Sequence, residues 1–392
     1  MAQKSVAVLD IRSSEVTVFI GERGVNGTFV FKASRTETYG GYEDGEFFKE
    51  EDGTGDGGIA GAILRAISAV EQVCGERVRM LYAGVPGDFT RVVAKEQDIG
   101  FPKKRKITDK DRQALIDAGK EEIKGYRFMR ASSMIYVTND KQRVVNPVGI
   151  STAGLTGCIS YFYVSEYFCS TVEDALKDLK INVRYLPTQF AMASYLIPSE
   201  TRDECAIFLD AGNLSSSMCI VLGNGVMAQE SFNAGKIHIA FLVMERLRVP
   251  YDVSLALLHR VNLFARQDGD NGELVQILYR GEAYEYSPAL LAETVEEGLD
   301  NICEKAEEFL EEFDERELDC KSLFVSGEGL SDIRGAIEHI SKRLNRVLEP
   351  VAPELPYYNK PAMSSRVSLL DMACEDNRKS GFLYRIFNGF GG

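Results

Sequence analysis

Short apolar runs, each followed by a polar turn and a second apolar run, open both halves of the chain. Residues 5–20 read SVAVLDIRSSEVTVFI, and residues 205–222 read CAIFLDAGNLSSSMCIVL. Two β-branched runs that flank a short polar turn are typical of a strand, a turn and a second strand. The recurrence of this unit predicts an internal duplication, in which two similar α/β domains place their turns opposite each other across a cleft.

Apolar residues at helical spacing follow in each half. Ile59, Ile63, Ile67 and Val70 recur every three or four residues, and a similar series runs from 295 to 313. This periodicity predicts amphipathic helices that cover a sheet. The acidic residues of the second series are typical of a solvated helix face, and the acidic, glycine-rich segment 50–58 predicts a surface loop.

The segment 86–165 interrupts this alternation of strands and helices. It contains the basic run Lys103–Lys106 and then Thr108 followed by Asp111, a spacing typical of a capping box at a helix start. We therefore expect an inserted small α/β module. The basic run lacks interleaved aromatic residues, so it predicts a solvated loop and not a nucleic-acid surface. Residues 199–204 are predicted to be the linker to the second domain.

Composition and charge narrow the class of protein. A length of 392 residues suits two or more domains, and 45 Lys and Arg against 59 Asp and Glu give a net charge of −14, which disfavours nucleic-acid binding. Eight cysteines without a CxxC pair indicate buried thiols in a reducing compartment. Three histidines, none at metal-binding spacing, disfavour a zinc-type site. No apolar run reaches bilayer-spanning length, so we expect a cytoplasmic protein.

Three polar turns carry the residue types that bind the phosphates of a nucleotide. Backbone N–H groups and hydroxyls in such turns approach phosphates closely, and a carboxylate holds Mg²⁺ through its water shell. Each turn alone is common, but the ordered set is typical of a triphosphate site between two domains. The candidate positions are Asp10, Ser13 and Ser14 in the first turn, Asp210, Gly212, Ser215 and Ser216 in the second, and Ser326, Gly327, Glu328 and Gly329 in the third.

The same segments resemble a known family. VAVLDIRSS stands where the actin, Hsp70 and sugar-kinase superfold has its first phosphate motif, AIFLDAGNLSSS where it has the second, and SLFVSGEGLSDIRG is similar to its adenosine motif. The inserted segment is similar to subdomain 1C of FtsA, a family of bacterial cell-division proteins within this superfold. The resemblance implies an α/β chain with the actin-like two-domain ATPase fold, built from duplicated mixed sheets flanked by helices, with an FtsA-type inserted subdomain and a C-terminal amphipathic helix.

The resemblance also implies subdomain boundaries. In FtsA, subdomain 2B binds the C-terminal tail of FtsZ, the tubulin-like division protein. The implied boundaries are 1–85 and 166–199 for subdomain 1A, 86–165 for 1C, 200–234 and 319–372 for 2A, 235–318 for 2B, 373–380 for a linker, and 381–392 for the amphipathic helix.

By resemblance, ATP and Mg²⁺ would bind between the two domains. Asp10 and Asp210 would lie nearest the metal. The cofactor-binding positions that carry over are Asp10, Arg12, Ser13, Ser14, Asp210, Gly212, Asn213, Ser215, Ser216, Gly235, Gly327, Glu328 and Gly329.

Several positions depart from the motifs of the family, and they cluster at the nucleotide. Two interpretations stay open: the site is weakened or lost, or ATP binds through substituted contacts. No general base is evident to position an attacking water, so we expect at most a weak ATPase. The departures are Arg12 for a glycine, Asn213 and Leu214 for a Gly-Gly pair, Ser217 for an aspartate, Ala234 for a glycine, and Leu255 and Leu258 for a glutamate and a lysine.

The segment 381–392 has large apolar residues at the spacing of one helix face, with basic residues nearby. This pattern predicts an interfacial amphipathic helix, and a helix docked on the protein body is the alternative. FtsA ends in a similar membrane-targeting helix. The membrane-binding candidates are Phe382, Leu383, Arg385, Ile386, Phe387 and Phe390.

Taken with this segment, the resemblance implies a cytoplasmic protein that polymerises on the inner face of the cell membrane at the division site. Its partners would be anionic membrane lipids, further copies of the chain, the C-terminal tail of FtsZ and other division proteins, with no nucleic acid. Two alternatives stay open. One is a PilM-like assembly scaffold of type IV pili, and the other is an actin-fold small-molecule kinase, which would need intact glycine loops and a catalytic aspartate.

Overall fold

Two five-stranded mixed sheets form the two halves of the molecule, and a four-stranded sheet is inserted into the first half. The computed structural model describes residues 5–24, 27–48, 58–264, 274–313, 318 and 321–388, with side chains up to Arg378. The predicted acidic loop 50–58 therefore lies outside the described residues, except for Gly58.

The strands and helices are numbered in chain order. The strands are β1 Val6–Ile11, β2 Glu15–Arg23, β3 Phe29–Thr38, β4 Tyr42–Glu43, β5 Glu46–Phe47, β6 Met80–Val85, β7 Thr90–Lys106, β8 Tyr126–Thr138, β9 Arg143–Val144, β10 Ser151–Ser165, β11 Asn182–Pro187, β12 Ala206–Asp210, β13 Ser216–Leu222, β14 Gly225–Phe232, β15 Val275–Tyr279, β16 Glu282–Tyr286, β17 Leu323–Ser326 and β18 Leu348–Pro350. The helices are α1 Ile59–Cys74, α2 Asp109–Ala118, α3 Glu166–Leu176, α4 Thr188–Leu196, α5 Ser199–Asp203, α6 Lys236–Leu247, α7 Tyr251–Leu258, α8 Pro288–Glu311, α9 Ala336–Arg343 and α10 Ser364–Asn388.

The two large sheets repeat one topology. The first has the order β3-β2-β1-β6-β11 and the second the order β14-β13-β12-β17-β18. In each, three antiparallel strands form a meander, and two further strands continue the sheet in parallel. The predicted duplication of mixed sheets flanked by helices is confirmed.

The predicted helices form where their apolar positions can be buried. α1 spans the predicted segment, buries Ile63 and Ile67, and ends at Gly75, whose φ of +69° suits a glycine. α8 buries Val295 and Leu299 in the second half. α2 begins with the predicted capping box.

The inserted sheet has the antiparallel order β7-β10-β8-β9 and a small core of its own beside α2. The basic run Lys103–Lys106, predicted to be a loop, lies in the last part of β7. Arg105 and Lys106 pair with Thr152 and Ser151 of β10. Backbone pairing holds this run in the sheet, while its side chains stay exposed to solvent.

Two polar segments predicted to be linkers are helical. The SETRDE segment 199–204 forms α5, and residues 373–380 continue α10 without a break. Leu370, Ala373 and Cys374 are buried, so the core extends into the polar segment and holds it in the helix. No helix in the described part of the chain has the length and hydropathy needed to cross a bilayer.

A shared core joins the two halves. It contains Val8 of β1, Phe190 of α4, Phe208 of β12 and Leu370 of α10, each at most 5% exposed. Burying apolar area between the sheets favours their association, at about 25 cal/mol per Å². The two halves are therefore one packed body below the point where their turns meet.

Candidate functional site

The ends of three strands bring the three candidate turns together. Asp10 lies near the end of β1, and Asp210 ends β12 at the corresponding place in the second sheet. β12 and β17 are parallel, with Asp210 in register with Ser326. The Gly329 N–H donates to the Ala211 carbonyl at 2.8 Å, which holds the third turn against the second.

Arg12 links the two halves at the base of the cleft. Its Nη1 donates to Asp210 Oδ2 at 2.8 Å, and its Nη2 donates to Asp210 Oδ1 at 3.0 Å. Both side chains are largely buried, with exposures of 13% and 4%. Planar guanidinium and carboxylate groups match in this two-bond geometry. Arg12 and Asp210 therefore form an ion pair across the cleft, at a position where the first phosphate motif of the actin, Hsp70 and sugar-kinase superfold has a glycine.

A second row of contacts lies beside this pair. The Leu214 N–H donates to Ser13 Oγ at 3.1 Å, and Asn213 Nδ2 donates to Ser14 Oγ at 3.1 Å. Asn213 Nδ2 also donates to Glu328 Oε1 at 2.8 Å. The hydroxyls that were candidates for binding phosphates therefore bind the opposite turn.

Asp88 forms a third link across the cleft. Ser215 Oγ lies 2.9 Å from both carboxylate oxygens of Asp88. Burial raises the pKa of Asp88 to about 6, although the hydrogen bond from Ser215 opposes this rise. A Cβ at the neighbouring Gly87 would overlap the hydroxyls of Ser217 and Ser231, so the close approach of this turn requires glycine.

The two predicted magnesium ligands have guanidinium partners. Asp10 is fully buried, accepts from Ser365 Oγ at 2.7 Å, and lies 3.7 Å from Arg366 Nε; Asp210 is paired with Arg12. Asp10 Oδ1 has no hydrogen-bond partner within the protein, yet the described residues contain no group of three His, Cys, Asp or Glu that could hold a metal. Because a guanidinium already supplies positive charge to each carboxylate, these residues do not fit a Mg²⁺-ATP site.

The glycines of the site are needed for packing between turns. Gly327 has a φ of +96°, and a Cβ there would overlap the Ala211 carbonyl oxygen. At Gly329 a Cβ would overlap the Gly212 carbonyl oxygen, and at Gly235 it would lie 2.7 Å from that oxygen. The third turn and the start of α6 pack closely against the second turn at these positions, which accounts for the glycines without a ligand.

The remaining candidate positions also serve the fold. Ser216 Oγ donates to the Ala234 carbonyl at 2.6 Å and accepts from the Gly212 N–H at 3.2 Å. Leu255 and Leu258 lie on α7, where Leu258 is buried and Leu255 packs against the core of the second half.

Comparison with known proteins gives structural neighbours but no sequence family. No family model and no curated protein matches the chain. A structure of the PilM-PilN type IV pilus biogenesis complex matches with a TM-score of 0.59 and 12% identity, covering 94% of this chain and 98% of that chain. MreB5 of Spiroplasma citri bound to ADP matches with a TM-score of 0.54 and 10% identity, covering 95% and 98%. EutJ, an ethanolamine utilization protein from Carboxydothermus hydrogenoformans, matches with a TM-score of 0.52 and 9% identity, covering 94% and 90%.

The chain has the actin-like ATPase fold. This confirms the predicted fold class, and MreB5, with ADP or AMPPNP bound, is an example of nucleotide binding in the fold. A relationship to FtsA in particular stays a prediction. In this chain, Arg12 pairs with Asp210 between the two halves of the fold.

Sequence reasoning missed Asp88, Ser365 and Arg366. Asp88 lies in the inserted segment, and the other two begin α10, far along the chain from the turns that they contact. In the sequence, each of these three residues is only a polar residue beside an apolar run, which does not indicate a site. The membrane-binding candidates from Phe382 to Phe387 lie beyond the described side chains, and Phe390 lies outside the described residues.

Proposed function

We propose that this chain is an actin-fold scaffold that works without binding or hydrolysing Mg²⁺-ATP. The observation that carries this proposal is the Arg12–Asp210 pair. The guanidinium bridges the two halves from the first turn, where the actin-like fold has its phosphate motif, and supplies the positive charge that a bound metal ion would otherwise bring. The hydrogen bonds of Ser13 and Ser14 to the opposite turn hold the cleft closed around this pair.

Calorimetry with Mg²⁺-ATP tests this proposal. The wild-type chain is expected to give no saturable heat at millimolar ATP, which corresponds to a binding free energy weaker than about −4 kcal/mol. Arg12→Gly, which restores the family residue, is the variant most able to gain binding. Arg35→Gly changes an exposed arginine of β3 and is the matched control. Micromolar binding by the wild-type chain, or phosphate release above that of buffer, would contradict the proposal.

We further propose that residues 381–392 attach this scaffold to the inner face of the cell membrane. The amphipathic pattern of this segment supports the proposal, as does the continuation of the α10 backbone to Asn388. One short helix binds a bilayer weakly, because only one of its faces is buried at the interface and the net charge of −14 on the chain opposes contact with anionic lipid. Homopolymers would multiply the attachment through avidity by factors of order 10² to 10⁴.

Co-sedimentation with anionic liposomes tests the attachment. The full chain is expected to pellet, and a chain truncated after Lys379 is expected to stay in the supernatant. Phe387→Glu should reduce pelleting, whereas Leu278→Glu, at an exposed apolar position of β15, should not. Equal pelleting of the full and truncated chains would show that the segment is not the anchor.

The partner that we propose is the C-terminal tail of FtsZ, bound by the region 235–318 at the division site. This finer proposal rests on the resemblance of the inserted segment and of residues 381–392 to FtsA. Fluorescence anisotropy with a labelled FtsZ tail peptide tests it, because a chain of this size slows the tumbling of a bound peptide. No change in anisotropy at saturating protein would remove FtsZ as the partner.

A PilM-like scaffold of type IV pili is the second candidate. The TM-score of 0.59 with the PilM-PilN complex, over 98% of that chain, favours it at the level of fold. The two candidates differ in their partners, so affinity for a PilN-type peptide and no affinity for the FtsZ tail would replace the first proposal by the second.

A further inference from the structure

A cavity of about 460 Å³ lies where four parts of the chain meet, away from the three turns of the cleft. The inserted sheet contributes β8 with α2 beside it, and the first half contributes α4 and α10. α5 and Asn224, in the turn between β13 and β14, complete the wall. The cavity is therefore lined by residues from the inserted segment and from both halves.

Three arginines line the cavity. Arg130 of β8 has no hydrogen-bond partner within the protein at Nε or Nη1, and its Nη1 forms a long ion pair with Asp376 Oδ2 at 3.6 Å. Arg112 also has an unpartnered Nε, while its Nη2 forms an ion pair with Asp109 at 3.0 Å. Arg202 is 7% exposed and donates to neutral carbonyl oxygens, including that of Gly223 at 2.7 Å.

Two serine hydroxyls add to this set. Ser368 of α10 is 1% exposed, and its Oγ has no hydrogen-bond partner within the protein. Ser194 of α4 has a buried Oγ in the same condition. Leaving a buried polar atom without a hydrogen bond costs about 1–3 kcal/mol. Several such atoms lie on one wall of the cavity, which points to a ligand that supplies hydrogen-bond acceptors.

The charge of the wall favours an anion. An arginine N–H can only donate, and the planar guanidinium matches the oxygens of phosphoryl and carboxylate groups in two-bond geometry. The lining has three arginines and two carboxylates, Asp371 and Glu375, and Asp371 forms an ion pair with Arg23, which lies outside the lining. Phe190, Ala191 and Met372 supply an apolar side to the same space, which suits the organic body of a ligand.

We propose that this cavity binds a small phosphorylated ligand, whose phosphoryl oxygens accept hydrogen bonds from Arg130 and Ser368. The volume is within the range of small-molecule sites in proteins, about 300–1,000 Å³. The bound ligand holds the inserted sheet, α10 and the second half in one arrangement. This site shares no residue with the cleft, so it stands whether or not the scaffold proposal is correct.

Calorimetry on the full chain at constant ionic strength tests the site, with inorganic phosphate, pyrophosphate and AMP as separate probes. Saturable one-to-one binding of at least one probe is expected. Binding of phosphate or pyrophosphate shows that the anion suffices, and binding of AMP alone shows that the apolar side is used as well. Arg130→Gln should weaken binding about tenfold, the worth of roughly 1.4 kcal/mol. Arg127→Gln, on the same strand but in an exposed ion pair with Glu173, should leave binding unchanged.

Ser368→Ala separates a binding effect from a folding effect. It removes a buried hydroxyl that has no partner, so the melting temperature without ligand should stay the same or rise while the affinity for the probe falls. Three results would overturn the proposal. These are no saturable binding of any probe at millimolar concentration, equal binding by Arg130→Gln and the wild-type chain, or binding that Arg12→Gly changes and Arg130→Gln does not, which would put the anion in the cleft.

Discussion

At the scale of single residues, the cleft is a set of buried charges that balance one another. Both terminal nitrogens of Arg12 donate hydrogen bonds to Asp210, and the carboxylates of Asp10 and Glu328 also favour the charged form of Arg12. Burial raises the pKa of Asp10 and of Glu328 in turn. A change at Arg12 or at Asp210 therefore leaves the other buried charge without its ion-pair partner.

Arg12→Ala is expected to destabilise the chain by about 3–5 kcal/mol, because it leaves Asp210 buried and unpaired. Thermal denaturation measures the effect as a lower melting temperature. Adding Asp210→Asn should recover part of the loss, since the buried charge is then removed. Arg35→Ala, which breaks an exposed pair with Glu37, should cost at most about 1 kcal/mol. A loss no larger than this control would show that the pair is not structural.

Asp88 makes stability depend on pH. Its pKa is raised to about 6 in the folded chain, against about 3.9 when unfolded, so folding favours its protonated form. The stabilisation is complete below about pH 4 and is lost as the pH rises through about 6, with a span of at most about 3 kcal/mol.

Asp88→Asn should therefore gain melting temperature relative to the wild-type chain at about pH 7 and gain less at about pH 5. Asp140→Asn, which breaks an exposed pair with Lys104, is the control and should give the same difference at both pH values. A constant difference for Asp88→Asn would mean that Asp88 does not titrate in this range.

At the scale of elements, α10 packs closely on the first sheet at two glycines. A Cβ at Gly84 of β6 would lie 2.5 Å from Leu369 Cδ1, and a Cβ at Gly21 of β2 would lie 2.8 Å from Leu370 Cδ2. Both distances are far below ordinary contact between carbon atoms, about 3.5–4.0 Å. The two leucines of α10 therefore fill the spaces that the missing side chains leave.

Gly84→Ala is expected to destabilise the chain by roughly 1–3 kcal/mol, because the added methyl group would occupy space that the side chain of Leu369 fills. Gly100→Ala in β7 is the matched strand control, since nothing lies within 4 Å of its added Cβ. Urea unfolding compares the two midpoints. If both variants unfold at the same urea concentration, α10 does not pack at Gly84 in the way described.

At the scale of the whole molecule, the two halves are joined in two ways. A shared apolar core joins them below, and the polar links of Arg12, Ser13 and Asp88 join them at the turns. The first kind depends on buried area, and the second on a few hydrogen bonds and charges. Loss of the polar links should therefore open the cleft without separating the halves.

Hydrogen exchange measured by mass spectrometry tests this distinction. In Arg12→Ala, the amide of Leu214 should exchange faster, because its acceptor Ser13 lies across the cleft. The amides of β12 should keep their protection, because they bond within the sheet. Arg35→Ala should match the wild-type pattern in both segments. Faster exchange throughout β12 would indicate global unfolding in place of local opening.

The fold could be predicted from the sequence because its signals are local. The repeated strand-turn-strand units, the ends of α1 and the cap of α2 each depend on neighbouring residues. The resemblance of three motifs to one superfold added the topology. The linker predicted at 373–380 was wrong because burial of Ala373 and Cys374, a tertiary effect, outweighs the polar composition of the segment.

The chemistry of the site was harder to predict than its place. The sequence marks Arg12 as a departure from a glycine of the motif, but its partner Asp210 lies 198 residues away. Contacts such as Ser365 with Asp10 span still more of the chain. Periodicity and motif spacing carry no information on such pairs, so the sequence left two interpretations of the nucleotide site open.

One consequence follows from the position of α10. Its first turn touches both halves of the cleft, where Ser365 donates to Asp10 and Ser364 Oγ lies 2.7 Å from Ser326 Oγ. Beyond Cys374 the helix continues for about 21 Å to Asn388, at 1.5 Å per residue. A tilt of this helix by about 5° at the core would move its end at Asn388 by about 2 Å. One continuous helix therefore joins the turns of the cleft to the segment that begins at residue 381.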